Sequence, residues 1–199
     1  MRMRKSKFQF QYIVFMMVCV GFLGCTKEPA LKVYSLEVPL IQKVQSSQHR
    51  HQSIKITYPN SIKEPMSDKM YFSYSVSDKG SYQNSQWSNN INKLLQGTLM
   101  ETIDNAHMFK TVLSDTSSVE ENLRLESDVY TFEHKVRGAD SYAAISIQFV
   151  LINADTGRLL QSKRFSYKEP TITVDAKGYV QATNRALTRL SRDLVRWLR

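Results

Sequence analysis

The chain has 199 residues, 42% of them hydrophobic, with 27 Lys and Arg, 18 Asp and Glu, four His and two Cys. That size suits one domain plus a tail, and it can bury a core without disulfides or a structural metal. The composition excludes a collagen-like or disordered chain, and the Cys and His are too few and scattered for a zinc finger or a disulfide scaffold.

Residues 1–7 carry four positive charges and no acid, and residues 12–24 are almost wholly apolar. Such a run rises only about 20 Å as a helix, short of a roughly 30 Å bilayer core. The pattern predicts a secretory signal over residues 1–24. The run closes on Phe22-Leu23-Gly24-Cys25, followed by polar Thr26-Lys27-Glu28-Pro29. A small residue before cysteine at that boundary resembles a bacterial lipobox, with Phe22 standing where leucine is usual. The resemblance implies cleavage before Cys25 and acyl chains on its sulfur and amine. An ordinary signal with an incidental cysteine is the competing reading.

Without the signal, 23 basic and 18 acidic residues remain, and the net charge drops from +9 to +5. That mild charge calls for no nucleic-acid partner. Cys19 leaves with the signal and Cys25 is acylated, so no thiol is left for a disulfide, a metal or a nucleophile. Each buried methylene adds about 0.8 kcal/mol of membrane affinity, so two or three acyl chains hold firmly where one does not. Thr26 follows the cysteine in place of Asp, which by resemblance to bacterial sorting rules favours the outer membrane, on its periplasmic face.

Residues 25–32 then read as an acylated start and tether, and 33–199 as a periplasmic α/β domain. Residues 33–38 suggest a first strand, 54–58 a second that ends at Pro59-Asn60, and 70–76 a third rich in aromatics. Between the first two, residues 39–52 lack a period; His49 and His51 stand two apart, but no third metal ligand is near, so a solvated loop is expected. Over 86–106, Trp87, Ile91, Leu94, Leu95, Leu99 and Ile103 recur at helical steps, with Ser85 as N-cap. Trp87 is expected to anchor the core, and Gly97 to mark a close packing contact within the helix.

A short strand at 109–113 and a polar loop at 114–121 come next. Residues 123–136, 142–152 and 158–167 then alternate as a three-stranded meander, with Gly157 suited to a positive φ in its second turn. From an N-cap at Asp175 a helix runs to Leu198, one face apolar and the other carrying Arg185, Arg189, Arg192, Arg196 and Arg199. Those cations favour the helix dipole and read as a solvated face. The order predicts an α/β sandwich: one mixed, mostly antiparallel sheet with two amphipathic helices packed on it.

No phosphate loop, nucleophile elbow or metal-binding motif is present. Glu126 and Asp128 share one strand face, a spacing that could serve acid–base work, but nothing else marks a cleft around them and edge-strand charge is the plainer account. His107 and His134 are separated in sequence and have no obvious carboxylate partner. No catalytic residue and no cofactor are expected.

These parts together resemble the ABC-type transport auxiliary lipoprotein family. The resemblance rests on the lipobox, Tyr34-Ser35-Leu36, a strand closed by Pro59, the loop 61–69, the aromatic strand 70–74, the tryptophan-opened helix, the meander and the terminal helix. The family's tryptophan is usually followed by alanine, a polar residue and proline; here Trp87-Ser88-Asn89-Asn90 lacks the Ala and Pro. Membership implies a non-catalytic envelope subunit that docks on the MCE-domain protein of a lipid transport system, often with an ABC transporter, and that forms rings in some members. Tyr71, Phe72 and Tyr74 are the candidate partner-interface residues, because aromatics concentrate at binding hot spots. An exposed strand edge could also pair with a partner's strand. A scaffold lipoprotein of a secretion or surface-organelle machine and a periplasmic enzyme are the competing readings.

Overall fold

Strict alternation in the second half of the chain builds the spine of the sheet. Leu123, Leu125, Ser127 and Val129 point one way from a fifteen-residue strand, while Arg124, Glu126 and Asp128 point the other. The computed structural model describes residues 29–62, 67–138 and 140–199, and Leu31–Arg199 form one folded unit. The described strands are β1 (Lys32–Tyr34), β2 (Ser53–Ile56), β3 (Asn60–Ser61), β4 (Lys69–Ser73), β5 (Lys79–Trp87), β6 (Thr111–Ser114), β7 (Leu123–Arg137), β8 (Asp140–Asn153) and β9 (Leu159–Pro170). Helix α1 (Ile91–Asn105) lies between β5 and β6, and α2 (Ala176–Leu198) follows β9.

All nine strands join one mixed sheet, and β7 is its centre. On one side β7 pairs antiparallel with β8, which pairs with β9. On the other, β2, β3 and β4 line up along it, each parallel. Beyond them lie β6 on β2, and β5 then β1 on β4. A bulge between Val129 and Thr131 adds a residue and reverses the alternation, so Phe132 and His134 face inward beyond it.

Both helices cover the same face. Ile145, Ile147, Phe149 and Leu151 of β8 and Phe165 and Tyr167 of β9 join Leu95, Leu99 and Ile103 of α1 and Leu187, Leu190 and Leu194 of α2 in one buried core. The Thr102 and Ser191 hydroxyls meet at 3.2 Å where the helices touch. The expected α/β sandwich, with its predominantly antiparallel sheet and two helices, is therefore observed.

Asp175 caps α2 as read from sequence: its carboxylate accepts the Gly178 N–H at 2.7 Å and the Thr173 hydroxyl at 2.7 Å. The first of these bonds leads in holding its pKa below the usual carboxylate range. Gly157 takes φ 67° in the β8–β9 turn, as expected.

The first helix begins later than its periodicity suggested. Residues 79–87, including Ser85 and Trp87, form β5, and the N-cap is Asn90, whose side chain accepts the Asn92 N–H at 2.9 Å. Trp87 stands four residues before Ile91 and so mimicked the helical stripe; pairing of β5 with both β4 and β1 overrode that pattern. Its expected role as core anchor holds, at 1% exposure. The first strand is shorter than expected, ending at Tyr34, and the third ends at Ser73. The Glu37 N–H instead donates to the Asn184 side chain of α2 at 3.3 Å.

Gly97 marks no close contact: it is exposed on α1, and a Cβ there would meet no atom within 4 Å. Gly97→Ala is therefore expected to stabilise the fold by about 0.5–1 kcal/mol, since helical glycine carries only an entropic cost. Denaturant titration checks this, and a lowered midpoint would show hidden crowding.

Candidate functional site

The sequence-level candidates separate in three dimensions. Cys25, with the signal and the first part of the tether, residues 25–28, lies outside the described residues. Of the aromatic strand, Phe72 and Tyr74 sit together, edge to face at 5.3 Å, and Phe72 meets Tyr82 of β5 in the same way at 5.2 Å. The Phe72 ring also lies over Gly80, where a Cβ would come 2.6 Å from the ring tip, so a larger residue there would push the ring aside. Tyr71 alternates to the opposite face, its hydroxyl 3.1 Å from that of Ser67. It borders a shallow hollow of about 240 Å³ with Lys69, Lys79 and Phe132. Of the three, Tyr74 is the most open to solvent, at 54%.

Glu126 and Asp128 lie on a central strand, which overturns the edge-strand account of their charge. They belong to a polar face that nothing among the described residues covers. Across that face Ser146 meets Ser166 at 2.8 Å, Arg164 donates to Gln148 at 3.0 Å, and the Arg164 guanidinium lies 3.5 Å from the Tyr130 ring centre. This surface is hydrogen-bonded and hydrophilic.

His49 is buried against Phe109, ring centres 5.5 Å apart, and its Nδ1 lies 2.6 Å from Gln52 Oε1. That corrects the solvated-loop expectation for this histidine, whereas His51 is exposed as expected. The loop is apolar on its inner side, because Val44 also packs on the core and its N–H donates to the Ala106 carbonyl. Exposed His107 takes a left-handed backbone, φ 52°, just after α1.

The arginines of α2 are partly tied down. Arg189 pairs with Glu169 of β9, Arg196 with Asp193 at 3.2 Å, and Arg185 donates to the Pro170 carbonyl. Arg192 and Arg196 border a groove of about 430 Å³ with Leu40 and Ile41. Exposed pairs of this kind contribute little to stability.

One buried polar chain was invisible in the sequence, since its members come from four distant segments. His134 is fully buried, stacked 5.2 Å from Tyr179 with the rings 3° from parallel. Its Nδ1 is 2.7 Å from the Tyr82 hydroxyl and its Nε2 2.8 Å from Ser141 Oγ, which lies 2.6 Å from Thr171 Oγ1. A neutral imidazole satisfies every member: Tyr82 donates to Nδ1, Nε2–H donates to Ser141, Ser141 to Thr171, and Thr171 to the Ser141 carbonyl. Burial pushes the His134 pKa down, against a smaller upward pull from Asp175, and burial leads in raising Tyr82 to about 12. The chain is closed on itself and joins β5, β7, β8 and the β9–α2 loop.

Stability should therefore fall in mild acid. The unfolded histidine takes a proton below about pH 6.5 while the folded one resists it, so the loss begins there and continues down to the lowered folded pKa. The slope can reach about 1.4 kcal/mol per pH unit. Thermal midpoints between pH 7.5 and 5 check this: His134→Gln, which cannot take the proton, should flatten the slope, and an unchanged slope would refute the assignment.

A single mixed sheet covered on one face by two helices is the fold that the comparisons match. Residues 34–195 match the ABC-type transport auxiliary lipoprotein component family, and the chain belongs to that family. It is similar in structure to protein XCC0632 from Xanthomonas campestris, at 17% identity and a TM-score of 0.74 over 83% of this chain and 94% of that one. An uncharacterized protein is similar at 12% identity and a TM-score of 0.67, over 85% and 99% of the two chains. The PelC dodecamer from Paraburkholderia phytofirmans is a looser likeness, at 12% identity and a TM-score of 0.44 over 74% and 93%, which carries no argument about assembly. No curated protein is significantly similar in sequence.

Proposed function

We propose that this auxiliary lipoprotein is a non-catalytic docking subunit of an intermembrane lipid transport system, held on the periplasmic face of the outer membrane by acyl chains on Cys25. Its partner in this reading is the MCE-domain protein of the transporter. The observation that carries the proposal is the family match over residues 34–195, joined to the lipobox at Phe22–Leu23–Gly24–Cys25 and the Thr26 that follows it. The closed His134 chain supports a structural role for the most buried titratable histidine, and a docking subunit needs no turnover of its own. Energy for lipid movement would come from the transporter.

Affinity purification of the full chain from native membranes tests the proposal. Recovery of an MCE-domain protein is the expected result. Repeated recovery of secretion or surface-organelle subunits instead would overturn it in favour of a scaffold for another envelope machine.

A further inference from the structure

The strand directions gather three turns at one end of the sheet. Ser73 pairs with Lys135 and Tyr142 with Pro170, so the β4–β5 turn (residues 74–78), the β7–β8 turn and the β9–α2 loop (residues 171–175) all lie at the Arg137 end. The hydrogen-bonded chain from Tyr82 of β5 through His134 of β7 and Ser141 of β8 to Thr171 ties the loop to this end of the sheet.

Two of these turns carry the same pattern: Tyr74-Ser75-Val76-Ser77 and Thr171-Ile172-Thr173-Val174 alternate apolar side chains with small hydroxyls. The hydroxyls work internally. Ser75 Oγ accepts the N–H groups of Ser77 and Asp78 at 3.2 and 3.0 Å, Thr171 bonds Ser141, and Thr173 bonds Asp175. The apolar chains are left outside: Val76 is 80% exposed, Ile172 78%, Val174 63% and Tyr74 54%. Aliphatic groups presented on loop tips in this way mark an apolar contact surface.

The start of the fold also faces this end. β1 runs parallel to β5, so the chain enters Lys32 from the side on which the β4–β5 turn lies, and Lys32 is near enough to help lower the Asp175 pKa. Lys32 pairs with Ser85, six residues beyond Lys79, about 20 Å along a strand. Cys25 stands six residues before Leu31, a reach of at most about 20 Å.

We infer that the end formed by Tyr74, Val76, Ile172 and Val174 rests on the bilayer that holds Cys25, its apolar tips entering the headgroup–acyl boundary. The inference rests on the lipid-anchor reading above. Around these turns Lys79, Arg137 and Lys177 stand beside Asp78, Asp140 and Asp175, and Lys32 and Arg185 add positive charge, so the apolar tips make the contact and anionic lipid would strengthen it.

The test uses the mature acylated protein, in which an introduced cysteine is the sole free thiol. Val76→Cys, Val174→Cys and, as control at the opposite end, Thr156→Cys are each labelled with an environment-sensitive fluorophore and reconstituted on phosphatidylcholine vesicles. Probes at 76 and 174 should shift to the blue and lose emission to spin labels on the acyl chains, while the probe at 156 should not respond. Protein that floats with the vesicles but keeps all three probes in water overturns this inference alone and leaves the surface to a protein partner. Failure to float, with an unmodified amino terminus by mass spectrometry, overturns the anchor and this inference together.

Discussion

Trp87→Ala should cost about 3–5 kcal/mol, the range for removing a buried aromatic from a core. Against a typical domain stability of about 5–15 kcal/mol, that is enough to leave a large unfolded fraction at physiological temperature. The expectation follows from where the indole sits. It closes β5 at 1% exposure and meets Phe132 of β7 edge to face at 6.1 Å and Tyr179 of α2 at 5.7 Å. One side chain thus joins an outer strand, the central strand and the first turns of the terminal helix. Tyr179 stacks in turn on His134, so the cavity would also loosen the buried polar chain. Trp87→Phe keeps an aromatic ring and should cost less. Urea titration of the three proteins gives the result, and a loss below about 1 kcal/mol for the alanine variant would refute the anchoring role.

Cys25→Ala, exported behind a signal cut by the ordinary signal peptidase, should move the protein from the membrane fraction to the soluble fraction without altering its fold. A single C14 chain gives only marginal binding, with an association constant near 10⁴ M⁻¹, and each further methylene adds about 0.8 kcal/mol. Loss of two or three chains therefore removes essentially all stable attachment. The folded unit begins at Leu31, after the cysteine, so circular dichroism and the unfolding midpoint should be unchanged. Among the described residues no helix is long and apolar enough to cross a membrane. Continued sedimentation of the cleaved variant with membranes at high salt would show that something other than acylation is the main anchor.

The parts of the fold that were legible in sequence are those where local pattern and tertiary burial agree. Apart from the bulge in β7, the β7–β9 meander alternates because one of its faces is covered and the other is wet. α2 announces itself through Asp175 and a long apolar stripe. β5 was hidden because Lys79-Gly80-Ser81-Tyr82-Gln83-Asn84-Ser85-Gln86 has almost no aliphatic content. It is a strand because β4 and β1 supply hydrogen-bond partners on both sides, and pairing of that kind leaves no trace in composition. The two-residue β3 is missed for the same reason. His49 is buried by Phe109, sixty residues away, which no local window contains.

The candidate site was legible to a smaller degree. Cys25 and its flanks form a local sequence pattern that lies outside the described residues. The shared aromatic strand could be found, but not that Phe72 is held over Gly80 while Tyr74 stays open. Val76 and Ile172 are nearly a hundred residues apart, and only the parallel pairing of β4 with β7 and the return of β9 bring their turns to one end.

The central place of β7 also dictates an order of events in making the molecule. Ile54 must find Leu123 and Phe72 must find His134, contacts more than sixty residues apart. β2, β3 and β4 therefore cannot complete their pairing on a nascent chain until most of it has been synthesised, and such distant parallel pairings form slowly. Until β7 emerges, the amino-terminal half can form its β4–β5 hairpin and α1 but lacks the central strand on which β2, β3 and β4 align.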